Sequence, residues 1–138
     1  LLNKISLLKA VPTTTTERIP TWEVRPGLQV GCKVTVRGKK AEDLLGRLIK
    51  ANPDNITSGK FDNFGNFSFG VLEYLDIPGV EYDASIGIIG LDVAVTLKRA
   101  GFRIKNRAIK KRKIPQRHKI TKAEAIEFIN KKYNLGVN

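Results

Sequence analysis

Residues 98–122 carry twelve lysines and arginines and not one aspartate or glutamate. No other feature restricts the fold as much, because like charges repel one another and resist removal from water unless each is paired. The core must therefore be built from the residues on either side. Within the block, residues 107–119 include Pro115 and show no buried period, so they read as an extended loop. Outside it, 13 bases face 13 acids, and the whole formal charge of +12 belongs to this one stretch. Charge runs on solvated faces normally mix signs. Segregation of this degree favours a polyanion, and nucleic acid stands ahead of anionic lipid because the stretch lacks an apolar stripe to insert.

The remaining sequence is patterned for a folded α+β domain. With 138 residues and a hydrophobic fraction of 41%, one domain with one core is expected over residues 1–138, with 107–120 as a basic loop inside it. Residues 1–8 place leucine and isoleucine at helical spacing and read as the end of a helix. Residues 11–16 are β-branched and read as the start of a strand. Residues 17–27, with Pro20, Pro26 and the only tryptophan, form a loop. Val30, Cys32, Val34 and Val36 then alternate with Gly31, Lys33, Thr35 and Arg37, predicting a strand with one buried and one basic face.

Lys39–Ala51 reads as an amphipathic helix, its stripe made by Ala41, Leu44, Leu45, Leu48 and Ile49. Asn52, Pro53, Asp54 and Asn55 stop it. Gly65 and Asn66 mark a turn before a strand over residues 67–74. Leu91, Val93, Val95 and Leu97 alternate again, and Phe102 and Ile104 continue the alternation. Thr121 and Glu124 form a capping box for a last helix with Ala125, Ile126, Ile129 and Tyr133 on its apolar face and Gly136 after its end. Separated helices among strands suggest an antiparallel sheet with helices on one face, a two-layer sandwich.

Catalytic machinery is not visible. The one histidine, His118, lies among cations with no carboxylate to orient it and reads as a solvated or phosphate-facing side chain. Cys32 reads as a small core residue, and the single cysteine excludes an internal disulfide and suits a reducing compartment. One Cys and one His cannot make a zinc site. Gly87-Ile88-Ile89-Gly90 matches neither a dinucleotide nor a P-loop fingerprint. No cofactor, metal or small-molecule substrate is implied. No apolar run approaches the roughly 20 residues that span a bilayer, and residues 1–10 lack a signal-peptide pattern. Methionine is absent even at position 1, so the native start is expected upstream.

Three features suit RNA. Lys33, Thr35 and Arg37 would stand roughly 7 Å apart along one strand face, given a rise of ~3.4 Å per residue, close to the spacing of phosphates. The basic loop can enter RNA grooves and would order on binding. Phe61, Phe64, Phe67 and Phe69 could stack bases, although core is the favoured reading for most of them.

The run Val30-Gly31-Cys32-Lys33-Val34-Thr35-Val36-Arg37-Gly38-Lys39-Lys40-Ala41-Glu42 resembles a signature of the universal large-subunit ribosomal protein L five family. So do Phe61-Asp62-Asn63-Phe64-Gly65-Asn66-Phe67-Ser68-Phe69-Gly70 and Ser85-Ile86-Gly87-Ile88-Ile89-Gly90-Leu91-Asp92-Val93. The segment from Ile114 through His118 to Thr121 is similar to the archaeal and eukaryotic branch, called L eleven in eukaryotes. The resemblance covers essentially the whole chain. It implies a concave antiparallel sheet backed by helices and a structural, non-enzymatic role in the cytoplasm, within the large ribosomal subunit. The implied partners are 5S rRNA, held in the central protuberance, large-subunit rRNA, P-site tRNA and a small-subunit head protein.

Carried onto this sequence, Lys9, Lys33, Thr35 and Arg37 match the family's 5S rRNA contacts, and Arg18, Pro20, Trp22 and Arg25 its tRNA-facing loop. Arg103, Lys105, Arg107, Lys110, Lys111, Arg112, Lys113, Arg117, His118 and Lys119 make up the rRNA-binding arm. The family usually has Thr-Gly-Gln-Lys-Pro-Val where this chain has Ser6-Leu7-Leu8-Lys9-Ala10-Val11, so a glutamine that meets RNA is replaced by Leu8. The resemblance also implies a helix and strand before Leu1. An alternative is an extra-ribosomal regulatory role in which the basic loop binds another protein. A nucleic-acid enzyme is a third reading, lacking the base or metal cluster it needs.

Overall fold

A computed structural model describes residues 1–51 and 56–135. The stop expected at residues 52–55 and the glycine at 136 lie outside them. The chain is an α+β fold. Among the described residues, four helices, α1 (Leu2–Ser6), α2 (Lys39–Ala51), α3 (Arg103–Asn106) and α4 (Lys122–Tyr133), accompany four strands, β1 (Val11–Thr14), β2 (Gln29–Lys33), β3 (Phe67–Val71) and β4 (Leu91–Val95). Both strand pairs are antiparallel. They form two separate two-stranded sheets, β1–β2 and β3–β4.

The β3–β4 pair carries the core. Phe67, Phe69 and Val71 alternate inward and are buried, facing Val95, Val93 and Leu91 across the ladder. Phe61 stacks on Phe67 at 4.7 Å between ring centroids. Strand β3 is shorter than expected, because the chain turns after Val71 and drops Tyr74, fully buried, into a 3₁₀ turn at Tyr74–Asp76. The Tyr74 hydroxyl accepts the Asp83 amide at 3.1 Å, so this buried ring leaves no polar atom unpaired.

The expected stripe on α2 faces the same core: Leu48 and Ile49 are buried, and Leu44 and Leu45 pack partly against them. Each such side chain contributes roughly 1.5–3 kcal/mol on leaving water. On α4 the capping box forms as expected, Thr121 accepting from the Glu124 amide and Glu124 from the Thr121 amide. Ala125 and Ile129 are fully buried. Polar ties join the helices. Tyr133 donates to the Glu42 carbonyl at 3.2 Å, Lys132 pairs with the Glu42 carboxylate, and Arg47 donates to the Ile5 carbonyl at 3.0 Å. Between α2, α4 and β4 a cavity of about 520 Å³ remains.

Two expectations need correction. The apolar side of the β2 alternation is not covered at its start: Val30 is 58% exposed, and Cys32 is exposed rather than a core residue. Strand β2 pairs only with β1, and the buried cluster draws nothing from either. The alternation of burial resumes only from Val34 and Val36, half-buried around exposed Thr35 and Arg37. Secondly, Phe102 and Ile104 do not extend a strand. Gly101, with φ +98°, breaks the extended run, and residues 103–106 coil into the single turn of α3.

Candidate nucleic-acid interface

The cationic arm leaves the body after β4 and rejoins it at α4. Its two ends are fastened by side chains. Arg99 pairs with Glu124 at 2.8 Å, and His118 Nε2 donates to the Ala100 carbonyl at 2.7 Å, its ring lying 6.0 Å from that of Phe102. Of the two readings from sequence, solvated or phosphate-facing, His118 is not the freely solvated one: it is half-buried and its Nε2 is engaged in holding the arm. The Thr121 amide and then Arg99 hold the Glu124 carboxyl below the usual carboxylate range.

Inside the arm the chain doubles back. The Arg112 amide donates to the Ile104 carbonyl at 3.2 Å. Lys110 takes a left-handed conformation, φ 52°, and the Arg107 guanidinium donates to its carbonyl at 2.9 Å. A 3₁₀ turn at Gln116–His118 follows Pro115. Arg103, Lys105, Arg107, Lys110, Lys111, Arg112, Lys113 and Arg117 are all exposed, while Lys119 is half-buried. None of them forms a salt bridge among the described residues.

Strand β2 holds Lys33, while Thr35 and Arg37 follow its end. All three are exposed, and half-buried Val34 and Val36 alternate with them, although the ladder stops at Lys33. Lys9 is exposed just before β1. The loop between β1 and β2 is organised by a 3₁₀ turn, Pro20–Trp22, closed by an Ile19–Val24 bridge. Arg18, Pro20, Trp22 and Arg25 project from it, Trp22 at 74% exposure.

Three of the four clustered phenylalanines are core, and the fourth is not. Phe61, Phe67 and Phe69 are buried, but Phe64 stands 52% exposed at the tip of the turn that precedes β3. The Lys119 ammonium lies 4.7 Å from its ring centroid. Nothing in the sequence singled Phe64 out, because the alternation of the others fixes only their own side of the strand.

Among the described residues no cluster of His, Cys, Asp and Glu could hold a metal. No described helix is long and apolar enough to cross a membrane.

The family model for the C-terminus of the ribosomal L-five-P proteins matches residues 29–128, which include β2, the core strands, the arm and most of α4. A protein named Large ribosomal subunit protein uL5 from Sulfurisphaera tokodaii is 44% identical over 138 residues, covering 99% of this chain and 78% of its own length. Its namesake from Methanococcus maripaludis is 47% identical over 133 residues, or 92% of this chain and 72% of that one. That of Methanosphaera stadtmanae is 37% identical over 134 residues, covering 96% and 80%. The relatives are archaeal and named as large-subunit proteins, as the resemblance implied. By family model and by relatives alike, this chain belongs to the ribosomal protein L five family.

Proposed function

We propose that the chain is a structural constituent of the large ribosomal subunit that binds 5S rRNA and anchors it in the central protuberance. The observation that carries this reading is the separation of a charge-balanced body from an arm whose cations, Arg99 apart, have no carboxylate partner among the described residues. Each lysine or arginine laid against a phosphate releases a condensed counterion, so such an arm supplies affinity without needing sequence. Lys9 and the row Lys33, Thr35 and Arg37 give the body its own contact with 5S rRNA, and the arm engages large-subunit rRNA. The loop bearing Arg18, Pro20, Trp22 and Arg25 faces P-site tRNA, and the small-subunit head lies across the interface. These partners follow the family, and the exposure of the residues supports them.

Filter binding of the chain to archaeal 5S rRNA tests the reading. Affinity should fall as salt rises. Charge reversal at Lys33 and Arg37 should cost about 1–3 kcal/mol more than reversal at Lys131 on α4. Equal losses would remove the assignment of the β2 row, and no salt-sensitive binding at all would remove the function.

A further inference from the structure

Where the arm folds against the Asp62–Asn66 turn it borders an open cavity of about 730 Å³. Six of the residues lining it are cations, Lys98, Lys105, Lys111, Arg112, Lys113 and Lys119, and no carboxylate lines it among the described residues. Two rings, Phe64 and Phe102, and two amides, Asn66 and Gln116, complete the chemically distinctive part of the wall. The volume falls within the roughly 300–1,000 Å³ usual for sites that take one small ligand.

The turn that presents Phe64 is rigid. The Asp62 carboxylate accepts the amides of Phe64 and Asn66 at 2.8 and 2.7 Å and the Asn66 side chain at 2.6 Å, while the Asp62 amide donates to the Asn66 carbonyl at 2.8 Å. Gly65, at φ +74°, lies so close to Ile120 and Ala125 that an added Cβ would approach them to 2.9 and 3.0 Å. The turn is therefore clamped to the base of the arm, and Phe64 is fixed beside Lys119 rather than swinging in solvent. A phenyl ring held half in water at the mouth of a cationic cavity offers a stacking surface next to anion-binding groups.

We propose that this cavity takes a single unpaired nucleotide, its base stacked on Phe64 and its phosphates met by the surrounding cations. The site rests on the RNA-binding reading above and sharpens it, because a duplex cannot offer a free base face and the carboxylates of an acidic peptide do not come joined to a ring as a phosphate does to its base. Base–aromatic stacking tolerates any base, so the pocket would select strandedness rather than sequence.

The test uses the full chain with a single-stranded octaribonucleotide carrying 2-aminopurine at its centre. A paired duplex holding the same base serves as comparison. Quenching of the 2-aminopurine is expected with the single strand and not with the duplex. Phe64→Leu should abolish the quenching and weaken octamer binding about 5- to 100-fold with an unchanged thermal midpoint, while Phe64→Trp preserves both. Lys119→Gln should lower the slope of log affinity against log salt by about 0.7, the value for one phosphate of a single strand. If Phe64→Leu binds and quenches like the parent while 5S rRNA is still bound, the pocket is overturned and the RNA-binding reading survives. Equal binding of duplex and single strand overturns it in favour of backbone tracking. Displacement of the octamer by polyglutamate of matched charge, as readily as by unlabelled octamer, overturns it in favour of a general anion site. Failure to bind either octamer or 5S rRNA defeats the pocket and the function together.

Discussion

At the scale of single residues, Leu7 carries strain that the sequence alone does not display. It caps α1 in the left-handed conformation, φ 55°, with its amide bonded back to the Asn3 carbonyl. Glycine takes this conformation freely, whereas a residue with a Cβ is disfavoured there by roughly 1–2 kcal/mol. The family pattern has glycine at this position. Leu7 is 80% exposed, so its side chain supplies little in return. Leu7→Gly should therefore stabilise the chain by about 0.5–1 kcal/mol, after the looser unfolded state is counted, and raise the thermal midpoint. A lowered midpoint would mean that the leucine is covered by something else. Residues of this kind show where sequence reading stops. Alternation told which side of β2 was apolar, but whether Cys32 is buried depends on whether another element covers that side. Phe64 escaped for the same reason. Its exposure is set by the Asp62 turn and by the packing of Gly65 on Ile120, far along the chain.

Elements whose stabilising pattern is local were legible. Helix α2 starts and ends where its stripe of leucines predicted, and α4 is announced by Thr121 and Glu124, since both signals lie within a few residues. The short helix α3 was not, because a single turn has no period to detect and Gly101 cancels the alternation before it. Ties between elements were equally invisible. Lys4 of α1 reaches Asp83, in the loop before β4, and Ser85 donates to the same carboxylate through its amide and hydroxyl. The bond from Lys4 and then those from Ser85 hold the Asp83 carboxyl far below the usual carboxylate range, and the bond to Asp83 raises Lys4 in turn. Asp83 shifts further because it has two donors beside it.

For a carboxyl depressed in the folded state, stability is complete above the unfolded value, about 3.9, and drains away as pH falls toward the folded one. For the raised lysine the contribution is complete below about pH 10.4 and is lost as pH rises further. The docking of α1 should thus be indifferent to pH between about 4 and 10. The thermal midpoint should fall more steeply with acid below about pH 4 in the parent than in Asp83→Asn. Parallel acid limbs for the two proteins would show that the tie does not stabilise the fold.

For the molecule as a whole, folding and binding draw on different residues. The buried cluster runs from Ile5 through the residues of α2, β3 and the Tyr74 turn to Ile129, and none of its members lies within residues 98–122. Replacing Lys110, Lys111, Arg112 and Lys113 together by glutamine should leave the thermal midpoint within a few degrees of the parent. It should also flatten the salt dependence of RNA binding by about 0.9 for each phosphate no longer neutralised. Loss of the folded state would show that the arm helps build the core. The mooring of that arm at both ends sets a geometrical limit. With Ala100 and His118 joined, the residues between them form a closed bight, not a free tail. At full stretch such a bight extends about 30 Å from its base. Whatever it grasps must already be within that radius, so the body has to arrive first and the arm can only tighten the grip. Cutting the peptide chain once inside the bight would lengthen its grasp while slackening its hold.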